Sequence, residues 1–345
     1  MLEKNVAAIL VSHRSNVFYL SGFTGSSGFL LVTPEEALLY TDFRYLEQAG
    51  EQSPAFEVVK VESSTDYSRA AGLLSQRGLP NLAVEEARLT LREYNMLKEA
   101  VSGTALLPLY NFFEEIRAVK EEPEVELIAR AARIAVEAWQ DVLSLLKPGI
   151  SELEVAYELE YRLRKRGSER LPFEIIVASG ERSALPHGIA STRIIREGEL
   201  VAVDFGAVSG GYCSDMTRTF LLGEPSEKQQ EIYNLVHEAQ EMAFKMIKAG
   251  QECAGVDAVV RQYFQQQGYG AHFGHGLGHG VGLDVHELPT LSPKGQETLQ
   301  EMMVFSVEPG IYIEKWGGVR IEDLVVLRHG GLQILTGSDR KLLLG

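Results

Sequence analysis

The 345-residue sequence predicts an α/β domain over residues 1–120 followed by an α+β domain over residues 121–345. Three observations support this. The chain is longer than one hydrophobic core usually organises. Its first 120 or so residues alternate short aliphatic runs with amphipathic stretches. Beyond the charged hinge Lys120-Glu121-Glu122-Pro123-Glu124, runs of strands and paired long helices replace that alternation.

In the first domain, strands are expected at Ala7–Val11, Phe29–Val32, Ala37–Tyr40, Val58–Val61 and Leu82–Val84, each aliphatic or β-branched and bounded by turn residues. Helices are expected between them at Phe43–Ala49, Tyr67–Gln76 and Leu91–Ala100, which implies a largely buried sheet. Leu20–Gly28 carries three glycines and four hydroxyl residues and reads as a loop. In the second domain, a helix with Pro123 in its first turn runs to about Lys147 and is closed by Pro148-Gly149. Ser151-Glu152-Leu153-Glu154 is a capping box, so a further helix runs from Glu152 to Lys165 or Arg166 and stops at Gly167. Two more helices are expected near Ser226–Lys248 and Gly255–Gln267, with strands at Ile175–Ala178, Leu200–Val208, Cys213–Leu222, Met303–Val307 and Val319–Leu327.

Composition excludes several classes. Hydrophobic residues are 45% and charged residues 23%, the balance of a soluble globular chain. Asp and Glu number 48 against 33 Lys and Arg, for a net charge of -15. That sign opposes a sequence-independent hold on nucleic acid or an anionic membrane face. No apolar run approaches the 18 or so residues of a membrane span. The run Val6–Val11 after Lys4 is short and has no cleavage site behind it, so it reads as a strand rather than a signal peptide. Two cysteines cannot build a disulfide framework or a four-thiolate zinc site. A cytoplasmic protein with no nucleic-acid or membrane partner is the expectation.

The chemistry concentrates in three stretches. Asp204 lies inside the aliphatic run Val201–Phe205, where a carboxylate is costly to bury without a cation. A two-residue turn at Ser209-Gly210 would place Asp204 and Asp215 opposite one another on one face, roughly 5 Å apart at Cβ. The same residues also fit one exposed aspartate and one loop aspartate capped by hydroxyls. In the second stretch, His272, His275, His279 and His286 fall among glycines between His272 and Glu287. Glycine at that density opposes a helix, so a loop of close backbone approach is expected. Neither a phosphate-loop pattern nor a zinc-helix H-E-x-x-H pattern is present there. The third stretch places Glu308 and Glu322 in apolar, strand-like segments. Four carboxylates and a neutral imidazole suit Mn²⁺, Co²⁺ or Zn²⁺ in a two-ion site. Cys213 reads as a buried thiol lining that site, and the basic run Leu163–Arg166 as a helix end complementing its dipole.

On these residues, from about Pro123 to the end, the chain resembles the pita-bread metallopeptidases, and within them the Xaa-Pro branch of prolidase and aminopeptidase P. Tyr19–Gly28 and Tyr40-Thr41-Asp42-Phe43-Arg44-Tyr45 resemble that branch's auxiliary N-terminal domain. The resemblance implies an α/β auxiliary domain, a pita-bread catalytic domain, and a dinuclear metallopeptidase acting on proline-containing peptides as a homodimer. It implies metal ligation by Asp204, Asp215, His279, Glu308 and Glu322, with Asp215 touching both ions. His187, His275 and His286 correspond to substrate-binding histidines, and Arg320 to an arginine orienting a ligand carboxylate. Mn²⁺ or Co²⁺ is expected, with Zn²⁺ as the third option. Two such ions can share a water and bring its pKa toward neutrality, giving a bridging hydroxide to attack the peptide carbonyl. Glu308 is then the expected proton shuttle, while His187 and His286 hydrogen-bond the substrate or oxyanion. The rivals are a methionine aminopeptidase, a creatinase and a non-catalytic pita-bread binding protein. The first needs no domain of about 120 residues in front, and the other two need no complete ligand set.

Overall fold

A computed structural model describes residues 6–337 and 342–344. The chain forms two compact units, Met1–Phe113 and Glu114–Gly345.

The first unit is built on a six-stranded mixed sheet. Its spatial order is Glu57–Lys60, Ala37–Thr41, Phe29–Val32, Ala8–Val11, Asn81–Glu85 and Ala105–Leu109. Ala8 and Leu10 pack into one apolar cluster with Phe29, Tyr40 and Leu74, whereas Ile9 and Val11 pack into another with Val17, Leu30 and Phe23. Period-two alternation thus feeds two cores, and the central strands read as continuous aliphatic runs for that reason. The helix expected at Phe43–Ala49 instead spans Leu46–Gln52. Asp42 folds the preceding residues into a turn, accepting from the Arg44 amide at 3.1 Å through its side chain and from the Tyr45 amide at 3.1 Å through its carbonyl. A helix at Arg14–Ser21 carries no local signal, because its entry is fixed from far along the chain. The Glu85 carboxylate accepts from the Ser12 and His13 amides at 2.6 and 2.9 Å.

In the second unit, Glu122–Leu143 and Glu152–Lys165 cover a sheet ordered Leu343–Leu344, Met216–Leu222, Leu200–Phe205, Ile176–Ser179. Trp139, Phe205 and Phe220 meet at the centre of that layer. Each such fully buried aromatic contributes on the order of 2–3 kcal/mol. The first helix ends at Leu143 rather than Lys147, its last turn tightening to bonds from Leu145 to Val142 and from Leu146 to Leu143. Ser151 and Glu154 form the expected reciprocal cap. Glu227–Met246 and Cys253–Gln266 pack on a five-stranded sheet ordered Glu287–Leu291, Gly278–Gly280, Val304–Val307, Asp323–Arg328, Gly331–Ile334. Gly310–Ile313 and Gly317–Arg320 form a separate ribbon. Cys213 and Cys253 are buried and free, and burial pushes both thiols up to about 12. No helix among the described residues is long and apolar enough to cross a membrane.

Alternation aims the site. Val201, Val203 and Phe205 point into the helix-covered core, so Asp204 points to the opposite face. Ser209 pairs with Tyr212, placing the turn at Gly210-Gly211 rather than Ser209-Gly210, with both glycines at positive φ. Thr217, not Asp215, therefore lies opposite Asp204. This register differs from expectation by two residues, and a shift of two leaves every side chain on its original face. The strands are also shorter than expected. Leu200–Phe205 breaks at Gly206, where a Cβ would lie 2.0 Å from the Ser214 carbonyl oxygen. Asp215 sits in the gap before Met216–Leu222, Glu308 just past Val304–Val307, and Glu322 between Gly317–Arg320 and Asp323–Arg328. The expected strand interiors are strand ends, where a side chain can turn inward without breaking a ladder.

Candidate metal centre

A cavity of about 530 Å³ in the second unit is lined by all nine residues singled out from the sequence. They are Asp204, Asp215, His279, Glu308, Glu322, His187, His275, His286 and Arg320. Gly278-His279-Gly280 is a short strand rather than part of a loop. Its glycines permit neighbouring backbone to come close, since a Cβ on Gly278 would lie 2.0 Å from the Ser306 carbonyl oxygen.

The acids crowd around His279. Its Nε2 is 3.3 Å from Glu308 Oε1 and 3.7 Å from Asp215 Oδ2. One donor atom from each of Asp215, His279 and Glu322 falls within 4.8 Å of the other two. The His279 Nδ1 faces the Gly280 carbonyl at 3.1 Å, an acceptor only. That contact assigns the ring proton to Nδ1 and leaves the Nε2 lone pair toward the carboxylates. Burial lowers the His279 pKa, which keeps the ring neutral. The same burial, with Glu322 and Asp204 nearby, raises Asp215 well above the carboxylate range. Burial followed by Glu308 does so for Glu322, and burial also raises Glu308.

Asp204 Oδ1, Asp215 Oδ1 and Glu322 Oε1 are buried and have no hydrogen-bond partner. A buried carboxylate left that way costs several kcal/mol unless a cation meets it. The second oxygens of Asp204 and Glu322 are held. Arg320 Nη2 donates to Asp204 Oδ2 at 2.6 Å, and Thr217 Oγ1 donates to Glu322 Oε2 at 2.6 Å. Arg320 Nε donates in turn to Thr217 Oγ1 at 3.0 Å, so one guanidinium orients two acids. Three carboxylate oxygens and an imidazole nitrogen turned inward, with Asp204, Glu322 and His279 tethered through their other atoms, make a donor set for a hard divalent cation.

The other histidines occupy distinct places. His275 Nδ1 lies 2.7 Å from the Gly276 carbonyl, and its Nε2 lies 2.8 Å from the Tyr312 hydroxyl. Arg320 Nη1 donates to that same hydroxyl at 2.9 Å. The His286 ring packs against His279, with centroids 4.3 Å apart at 59°. Desolvation and then the adjacent imidazole lower His286 to about 4. His187 is exposed at the cavity rim. Cys213 does not line the cavity; its Sγ faces the Leu283 carbonyl at 3.6 Å. Sequence reasoning missed Thr217 and Tyr312. Thr217 is accessible by alternation two residues from Asp215, whereas Tyr312 reaches the site through the pairing of Gly310–Ile313 with Gly317–Arg320.

Comparison with known proteins shows the family. Residues 126–329 match the model of metallopeptidase family M24, and residues 1–119 match the creatinase/prolidase N-terminal domain. A solved Xaa-Pro dipeptidase from Bacillus anthracis is 42% identical, with a TM-score of 0.95 over 99% of this chain and 96% of that one. An X-Pro aminopeptidase structure from Thermotoga maritima is 39% identical, with a TM-score of 0.90 over 98% and 97% of the two chains. The Xaa-Pro dipeptidase of Pyrococcus horikoshii is 38% identical over 99% of this chain and 96% of its own length.

Proposed function

The chain belongs to metallopeptidase family M24, and on that footing we propose that it is a metal-dependent Xaa-Pro peptidase. It hydrolyses the bond between an N-terminal residue and a following proline. The observation that carries this reading is the set of three buried, unpartnered carboxylate oxygens beside the neutral His279 in one open cavity. The whole-chain likeness to Xaa-Pro dipeptidases and an X-Pro aminopeptidase supports the substrate class, and the creatinase/prolidase match over residues 1–119 weighs against a methionine aminopeptidase. Residues 1–120 form the auxiliary domain in this reading and residues 121–345 the catalytic one.

Asp204, Asp215, His279, Glu308 and Glu322 would hold two divalent ions, Mn²⁺ or Co²⁺, with Zn²⁺ as the third option. When bound, such ions polarise the substrate carbonyl and make hydroxide available near neutral pH. Glu308, 3.3 Å from His279 in the same cavity, takes the proton from the attacking water and delivers it to the proline nitrogen as that bond breaks. His286 is neutral, so it donates an N–H to the carbonyl oxygen as charge develops there, and His187 binds the substrate from the rim. His275 is braced by Tyr312 at the back of the same pocket. Arg320 holds Asp204 and, through Thr217, Glu322 in their inward rotamers. Phe173, Ile176, Ile189 and Val285 give the cavity an apolar wall on which a pyrrolidine ring can bury its methylenes. A proline nitrogen carries no N–H, so such a wall meets no polar group it cannot satisfy.

Assaying Ala-Pro beside Ala-Pro-Ala with Mn²⁺ or Co²⁺ supplied tests both the activity and the choice between dipeptidase and aminopeptidase. Cleavage of neither, with metal bound, would refute it. The homodimer expected from family likeness is tested by sedimentation velocity.

A further inference from the structure

Glu152 is the first residue of the helix Glu152–Lys165, a position where an acid normally sits in solvent and favours the helix dipole. Here it is 0% exposed, and the contacts of its carboxylate run to a different part of the chain. Oε1 accepts from the Ser179 amide at 2.8 Å and its hydroxyl at 2.7 Å. Oε2 accepts from the Ser191 amide at 3.1 Å, the Ser191 hydroxyl at 2.7 Å and the Arg182 guanidinium. Ser179 ends the strand Ile176–Ser179, and Ser191 stands twelve positions later. One carboxylate therefore fastens both ends of the segment that carries His187 to the cavity rim. The middle of that segment is tied to the site as well. Ser183 Oγ accepts from the Gly318 amide at 2.8 Å, and the Pro186 carbonyl accepts from Arg320 Nη1 at 3.2 Å.

Capping of the helix does not need this residue, since Ser151 and Glu154 complete that box. A buried acid whose five bonds all cross to another segment instead lowers that segment's freedom before substrate arrives. We propose that Glu152 is a positioning residue for substrate binding, acting through His187 by closing the Ser179–Ser191 segment. This rests on the peptidase reading above.

The test uses the full-length, metal-loaded protein. Glu152→Gln keeps the shape but turns one oxygen into a donor facing amide donors. It should speed backbone hydrogen exchange across residues 179–191 about tenfold or more. It should also raise KM for Ala-Pro about tenfold while kcat changes less than about threefold, with metal stoichiometry unchanged. In a His187→Ala background, the KM effect of Glu152→Gln should shrink to less than about twofold. Additive effects, a loss confined to kcat, or unaltered exchange would overturn the proposal. Should Glu152→Gln not fold, Ser191→Ala removes the hydroxyl bond to Glu152 at the far end, together with the one that hydroxyl accepts from the Arg193 amide at 3.2 Å, and should produce the same shifts at about threefold; their absence would overturn the proposal equally. A wild-type protein that binds metal yet cleaves no Xaa-Pro peptide would overturn the peptidase reading instead, and exchange in the variants alone would then decide whether Glu152 fastens the segment.

Discussion

Glu85 in the first unit and Glu322 in the second are both glutamates at strand ends, 4% and 2% exposed, yet their surroundings differ in kind. Both Glu85 oxygens are occupied, by the Ser12 and His13 amides, the Ser12 hydroxyl and the Asn16 side-chain amide at 2.6 Å. Glu322 has one oxygen held by Thr217 and the other with no partner, and Asp204 and Asp215 across the cavity each likewise have a buried oxygen without one. Burial of an acid is thus no guide to function by itself. What distinguishes the two regions is whether the protein satisfies the charge from its own backbone or leaves it for something that enters from outside.

Four substitutions or conditions sharpen that contrast. Asp215→Asn should lower Xaa-Pro hydrolysis by roughly 10³-fold or more and reduce bound metal, read by steady-state assay and elemental analysis. The metal-free variant should melt at a higher temperature than metal-free wild type, because a buried acid crowded by Glu322 and Asp204 has gone; a lower melting temperature would count against the crowding. Glu85→Gln should do the reverse, costing about 3 kcal/mol in urea titration while leaving kcat per folded molecule unchanged. Tyr312→Phe removes the hydroxyl shared by His275 and Arg320 and should reduce kcat about tenfold with metal retained. Loss of metal would instead place Tyr312 among the groups that hold the ions.

The smallest effect is one of pH. Asp215, Glu308 and Glu322 have pKa values raised by burial, so the folded metal-free protein keeps protons that the unfolded chain releases above about pH 4–4.5. Their contribution to metal-free stability is full below that range and is lost as pH rises toward the raised values. Divalent ions bind the deprotonated forms, so the gap in melting temperature between metal-loaded and metal-free protein should widen from pH 5 to pH 7.5, and hydrolysis should fall below about pH 6. A gap independent of pH would mean the acids are already ionised without metal.

Much of the site is legible in the sequence because its residues violate local pattern. Asp204 interrupts an aliphatic strand, and His275, His279 and His286 stand among glycines that suit neither helix nor ordinary strand. The face on which Asp204 and Asp215 meet survives an incorrect register, since parity alone decides it. Groups that obey local pattern are harder to see. Glu152 looks like any acid at a helix start, Thr217 like any strand threonine, and the anchor of the residues leading into Arg14–Ser21 comes from some seventy positions away. Such roles arise only when the chain closes on itself, and no window of neighbouring residues contains them.

The two cysteines offer a use of a different kind. Cys213 and Cys253 are each about 1% exposed or less, and a thiol pushed up to about 12 presents almost no thiolate at neutral pH. Iodoacetamide therefore finds a target only in molecules that have opened. One thiol sits in the short hairpin that pairs Val208-Ser209 with Tyr212-Cys213 and the other at the start of the helix Cys253–Gln266, so the alkylation rates of the two peptides, read by mass spectrometry, time the opening of each half of the second unit without an engineered label.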